Sequence, residues 1–362
     1  MQKRSHLSWF FLSALLLFAC NLIAPGGIGL FFSGGSQPLV VAAANATLTP
    51  TPFQPLQPTP IITPTIHPRS LGEERPVSTG PDSGRSWGSY PGPSAPAAIA
   101  IPPPMGLFDQ AEGQTNILLM GSDQRPDTGG FRTDVLLLLT LNPSEGTVNL
   151  TSFPRDLFVY IPGWTMERVN TAQARGGFEL TALTFEYNFG VRPDHWALIN
   201  FSGFTTIINA LGGINVQVAQ PLSDQREGYG TYYVPAGNVQ MDGSTALWYV
   251  RSRYTSSDFD RTRRQQEVIQ AVFFRLMSLD GVTKAPQLYQ QYQQTILTDM
   301  SLDDIIPLLP LASKLADGGG INRYAIGPGQ VTSWVNPLNG AQVLLPNRTA
   351  VREIMQQALN IP

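Results

Sequence analysis

The stretch NILLMGSDQRPDTGGFRTDVLLLLTLNPSEGTVNLTSF, residues 116–153, holds three short apolar runs at 116–120, 133–141 and 147–153, parted by turns rich in Gly, Pro and Asp. Runs of this length between turn residues read as β-strands. Leu136, Leu137, Leu138 and Leu139 are apolar without alternation, as expected of a strand covered on both faces. Polar residues crowd the strand ends, where open α/β sheets place their ligand sites.

Further along, short apolar runs alternate with amphipathic stretches, the pattern of an α/β domain. Helices are predicted at 178–189 and at 202–211, the second with Ser202 as N-cap and Gly212-Gly213 at its end, followed by a strand at 214–218. Asp242 is placed to cap a helix running to 249. A longer helix at 259–279 carries an apolar stripe of Val268, Ile269, Val272, Phe273 and Leu276. Helices near 302–315 and 350–359 complete the domain.

Upstream the texture differs. Residues 7–32 contain no Asp, Glu, Lys or Arg and exceed the roughly 20 apolar residues that cross a bilayer core. Lys3 and Arg4 are the only nearby cations, so the positive-inside rule predicts an N-terminus in the cytoplasm and the remainder outside. Pro25-Gly26-Gly27 interrupts the run, and a cleaved signal peptide is the second reading. Between Pro38 and Pro104 lie 16 of the 31 prolines, a composition that predicts a semi-extended stalk. The expected organisation is an anchor at 1–36, a Pro/Thr/Ser-rich linker at 37–112 and a catalytic domain at 113–362.

A formal charge of -3 argues against bulk nucleic-acid binding. The single cysteine, Cys20, forms no intrachain disulfide, and with only three histidines any metal would be held by oxygen ligands, as magnesium is. His195, at the start of an apolar run, reads as a structural strand-edge residue.

Four clusters carry chemistry. Gly121-Ser122-Asp123-Gln124-Arg125 ends the first strand, and Phe131-Arg132-Thr133-Asp134 opens the second. Asp123 and Asp134 thereby stand at the mouths of neighbouring strands, close enough in principle to share one divalent ion with phosphate oxygens. Such residues also simply build turns, and neither motif alone decides. Ser152-Phe153-Pro154-Arg155-Asp156 ends the third strand and can point Arg155 at the same mouth, unless it forms a surface ion pair with Asp156. The fourth cluster, residues 251–266, holds five arginines and no lysine at the start of a helix, which suits bidentate phosphate recognition. At helical spacing Arg261, Arg264 and Gln265 share a face, and Arg263 turns away toward the surface.

In this order the clusters resemble the LytR-CpsA-Psr family. Residues 116–125 resemble its first strand and G-x-D-x-R turn, 131–134 its R-[ST]-D, and 152–160 its P-R-D-x-x-V-x-I-P stretch. Residues 208–214 resemble its D-A-L-G-G-V segment, with Asn209 where the family often has Asp. Residues 241–249 match L-D-G-x-x-A-L-x-Y, and 251–266 match R-x-R followed by D-F-x-R-x-x-R-Q-Q. The likeness is strongest over 113–280. It implies a three-layer α/β/α domain with a central mixed, twisted sheet and a groove for a polyprenyl tail. It further implies a phosphotransferase that uses magnesium, or manganese, to move a glycopolymer from a polyprenyl-pyrophosphate carrier onto peptidoglycan. By position, Asp123 and Asp134 would serve metal and pyrophosphate. Arg132, Arg155, Arg251 and Arg253 would bind phosphates with help from Gln265, and Arg261 and Asp258 fall in the same motif. Two rival readings use the same residues: a membrane protein that binds polyprenyl lipids for regulation, and a lipid pyrophosphatase that delivers phosphate to water.

Overall fold

The computed structural model describes residues 90–123, 132–283, 285–293, 295–316 and 319–360. The predicted anchor, Cys20 and the linker up to residue 89 lie outside the described residues. Among the described residues, no helix is long and apolar enough to cross a membrane.

The three apolar runs form β1 (Thr115–Ser122), β2 (Thr133–Asn142) and β3 (Thr147–Ser152), an antiparallel meander. A small hairpin follows, β4 (Phe158–Tyr160) with β5 (Met166–Arg168), then α1 (Ala172–Phe189), β6 (His195–Asn200) and α2 (Phe201–Ala210). Next come β7 (Ile214–Val218), β8 (Leu222–Arg226), β9 (Gly230–Val234), β10 (Gly237–Met241), α3 (Gly243–Arg251), α4 (Asp258–Ser278) and α5 (Ala285–Tyr292). The chain ends with β11 (Leu297–Thr298), α6 (Leu302–Ile305), α7 (Leu309–Ala316), β12 (Ile321–Ala325), β13 (Val331–Val335), β14 (Gln342–Pro346) and α8 (Arg348–Ala358).

The central sheet has six strands in the order β11-β6-β1-β2-β3-β12. It is mixed: β6 runs parallel to β1 and β12 parallel to β3, and the other pairs are antiparallel. The apolar run of β2 shows why alternation is missing from the sequence. Leu136 and Leu138 pack with Phe185 and Phe189 of α1 and Val351 and Met355 of α8. Leu137 and Leu141 point the other way, to Leu311 and Leu315 of α7 and to Ile269 and Phe273 of α4. Helices therefore cover both faces, and each leucine so buried contributes about 2 kcal/mol.

Several local expectations are refined. Asn200, not Ser202, caps α2, its Oδ1 accepting from the Gly203 N–H at 2.8 Å. The predicted 302–315 helix divides into α6, a 3-10 turn (Ile306–Leu308) and α7, because Pro307 and Pro310 have no N–H to donate. The regular part of α1 starts at Phe178, as predicted, since Gly176 and Gly177 leave helical geometry. The hairpin of β8 and β9 has no counterpart in the sequence reading.

Residues 90–112, assigned to the stalk by composition, lie against the domain. An extended Pro-rich chain leaves its carbonyls free to accept, and here Pro91 and Pro102 take the hydroxyls of Tyr160 and Tyr187, each at 2.7 Å. Met105 enters the core, and Ile99 and Ile101 pack beside Tyr160. The ordered unit thus extends at least to Tyr90, upstream of the boundary at 113.

Candidate functional site

A pocket of about 730 Å³ lies between the sheet, α2, α3 and α4, within the size range of small-molecule sites. Its polar end is built first by a bulge. In the β1–β2 pairing Gly121 stands opposite Val135 and Ser122 opposite Thr133, so Asp134 is the extra residue on β2. Bulges of this kind re-aim a side chain, and Asp134 lines the pocket. Gly121 is required beside it, because a Cβ there would sit 2.9 Å from Val135 Cγ2.

Arg155 Nη1 donates to Asp134 Oδ1 at 2.7 Å, and its Nε lies 3.3 Å from Asp156. Burial works against this cation, but Asp134, Asp156 and Asp258 together more than compensate and raise its pKa. Arg261 Nη2 reaches Asp258 at 3.3 Å. Burial lowers the Arg261 pKa, Asp258 and Asp134 oppose the shift, and the charges of Arg155 and Arg253 add to it. Guanidinium groups close enough to repel one another are prepared for an anion.

Arg251 and Arg253 reach the pocket by a simple device. Between them Ser252 is buried and extended, so the two arginines project while the serine points inward. The Arg251 guanidinium stacks over Phe201, 4.1 Å from the ring centre. Neither arginine forms an ion pair among the described residues. Gln265 lines the same end of the pocket.

Much of the remainder is apolar, with Gln225, Arg226 and Glu227 of the β8 end as its polar exception. Leu119, Leu137, Ala197 and Ile199 of the sheet, Phe204 and Ile207 of α2, Leu247 of α3 and Val272 of α4 line it. On α3 the lining residues Ser244, Leu247, Trp248 and Arg251 recur every three or four positions, so one helix face carries apolar Leu247 and Trp248 between Arg251 at its end and Ser244, which accepts from Arg226 at 3.0 Å, at its start.

The structure thus brings Asp134, Arg155, Arg251, Arg253, Arg261 and Gln265 to one pocket. Asp258 stands behind them as the partner of Arg261. Asp123 and Arg132 sit at the adjoining strand ends, where Asp123 Oδ1 accepts from the Arg132 N–H at 2.8 Å. Neither lines the pocket; the intervening residues 124–131 lie outside those described. Among the described residues, no group of three or more His, Cys, Asp or Glu forms a metal cage. His195 sits at the strand edge, its Nδ1 3.5 Å from Asp299.

Two arginines differ from expectation. Arg263 is not a surface residue: it is half-buried and donates to the buried Glu267 at 2.5 Å, which also accepts from Tyr249. Arg264 does not join Arg261 at the pocket; it is buried and donates to the backbone of the preceding turn. Sequence reasoning missed the apolar lining of α2 and α3, because groove and core share one composition, and missed Asp224. The only trace of Asp224 is the alternation of Leu222, Asp224 and Arg226, all buried, on β8.

Fold and pocket define a mixed α/β domain whose large pocket joins an arginine cluster to a mainly apolar groove. The chain belongs to the LytR_cpsA_psr family, whose sequence model matches residues 96–358. It is 34% identical over 201 residues to a polyisoprenyl-teichoic acid–peptidoglycan teichoic acid transferase, TagU, of Halalkalibacterium halodurans, a match covering 54% of this chain and 64% of that protein. It is 32% identical over 215 residues to TagT of Bacillus subtilis, covering 58% and 67%. Among solved structures, B. subtilis TagV superposes with a TM-score of 0.58 at 25% identity, covering 70% of this chain and 99% of that one. TagT bound to LIIa-WTA gives a TM-score of 0.57 at 28% identity, covering 70% and 92%.

Proposed function

We propose that this chain is a cell-envelope phosphotransferase that moves a glycopolymer from a polyprenyl-pyrophosphate carrier onto peptidoglycan, held at the outer face of the membrane by its N-terminal segment. The observation that carries the reading is the division of one pocket into an arginine-lined end and an apolar groove, which matches a pyrophosphate head on a hydrocarbon tail. The relatives named for transfer of teichoic acid to peptidoglycan support the same class of substrate.

In this account Arg251, Arg253 and Arg261 hold the pyrophosphate, with Gln265 beside them, and Arg155 is kept in place by Asp134. Phe204, Ile207, Leu247 and Val272 receive the tail. An acceptor hydroxyl attacks the phosphorus that bears the glycan. The bond to the lipid phosphate breaks, and polyprenyl phosphate leaves. Arginines fixed where charge builds up on the phosphoryl oxygens lower the barrier without reorganising.

Asp134, with Asp123 at the neighbouring strand end, fits magnesium in a restricted sense. Two carboxylates do not make a cage, but magnesium is commonly held by one or two carboxylates plus substrate phosphates. When bound it would neutralise phosphate charge. A regulatory lipid-binding protein would have the same pocket without turnover, and a lipid pyrophosphatase would use water as acceptor. The test is turnover of a polyprenyl-pyrophosphate oligosaccharide by the full chain with magnesium, manganese or a chelator. With peptidoglycan fragments present, metal-dependent release of polyprenyl phosphate together with glycan joined to the fragments supports the reading; release of free phospho-sugar alone, or binding with no turnover under any of these conditions, removes it.

A further inference from the structure

Arg251 is the last residue of α3, and Arg253 follows in a stretch with little regular structure of its own. Beyond the end of α3, residues 252–257 are bends and extended backbone until α4 begins. The turn also brings Arg253 near the like-charged Arg261. Something must hold it, and the structure supplies two buried charges.

Asp224, on β8, is 1% exposed. Its carboxylate accepts the Ser252 hydroxyl and the Tyr254 N–H, the latter at 3.0 Å, and also the N–H of Gln225 at 2.7 Å. Arg264, on α4, is likewise 1% exposed. It donates to the carbonyls of Ser252 and Tyr249, the latter at 2.8 Å, and to Ser256 Oγ at 3.1 Å. Ser252 is therefore gripped by its hydroxyl from one side and by its carbonyl from the other. Thr255 adds a bond to the Ser223 carbonyl at 2.6 Å.

We propose that Asp224 and Arg264 are positioning residues: they clamp Ser252 so that Arg251 and Arg253 face the pocket before an anion arrives. The inference rests on the pyrophosphate reading of that pocket. Neither clamp residue needs to touch substrate. Both act through the arginines, as a preorganised site requires. Burying two charges is costly unless each is hydrogen-bonded, and both find partners on this turn.

The test is a double-mutant cycle read as affinity of the full chain, in detergent, for inorganic pyrophosphate, with thermal midpoints measured alongside. Asp224→Asn is expected to weaken binding roughly tenfold, the size of losing a charge-assisted hydrogen bond. In an Arg253→Ala background the same change is expected to have a clearly smaller effect, because one of its two routes to the ligand is gone. Full additivity, or unchanged affinity for a folded Asp224→Asn chain, overturns the clamp. If Asp224→Asn does not fold, Ser252→Ala removes the gripped hydroxyl alone and enters the same cycle with the same expectation. A wild-type chain that ignores pyrophosphate overturns the functional reading itself, whereas wild-type binding with additive losses overturns only the clamp.

Discussion

Asp134 of β2 meets Arg155, in the turn that follows β3, at 2.7 Å, and the contact exists because Asp134 is the extra residue of a bulge. Without the bulge the side chains of β2 would keep strict alternation and this carboxylate would not be re-aimed. Asp134→Ala is therefore expected to lower turnover by about 100-fold or more, the scale of losing one fixed electrostatic group. Stability should fall by only about 1 kcal/mol, because the pair is partly exposed. Turnover measured beside urea unfolding separates the two, and a folded variant with wild-type rate contradicts the assignment.

Gly121 faces Val135 with no room for a methyl group. Gly121→Ala should cost about 1–3 kcal/mol and displace the bulge, lowering activity as well. A second change, Val135→Ala, opens the space and should restore part of both. Equal activity in the single variant would show that the bulge tolerates the shift.

The groove can be tested apart from the cationic end. Leu247→Glu places a charge on the half-buried apolar wall of α3 and should abolish binding of a prenyl pyrophosphate while sparing inorganic pyrophosphate. Parallel loss of both ligands would mean that the two ends do not act separately.

Much of the fold and of the pocket is legible in the sequence. β1, β2 and β3 follow from three apolar runs, and Arg251, Arg253 and Arg261 stand out as a lysine-free cluster. Arg263 and Arg264 were misjudged because a helical wheel gives direction around one helix, not what lies there. Arg263 turns from the pocket onto Glu267, one turn along, and Arg264 turns onto the end of α3. The β8–β9 hairpin was hidden because its inward positions include Asp224 and Arg226, which satisfy their charges locally instead of reading as apolar. Residues 90–112 pack on the domain despite their composition, because proline content reports a lack of internal hydrogen bonds, not a lack of neighbours.

Acid stability should reflect the helix caps. The Thr245 N–H and hydroxyl hold the Asp242 carboxyl below its ordinary range, and Ser257 does the same for Asp260. A carboxyl with a lowered folded pKa stabilises the protein above the ordinary value and loses that contribution as pH falls through the folded value. Stability is thus expected to be flat near neutrality and to decline below about pH 4. Asp242→Asn keeps a capping oxygen, so it should change neutral stability by less than about 1 kcal/mol while making the acid decline shallower. Urea unfolding at several pH values checks this, and an unchanged acid slope would contradict it.

The acceptor of the phosphoryl group separates transfer from hydrolysis. The most direct measurement supplies the full chain with magnesium, a polyprenyl-pyrophosphate oligosaccharide and peptidoglycan fragments, and analyses the products by mass. A phosphodiester joining the glycan to peptidoglycan, with polyprenyl phosphate released in equal amount and neither formed by an Arg253→Ala chain, is the predicted result. Free phospho-sugar with unmodified peptidoglycan would contradict the account and identify water as the acceptor.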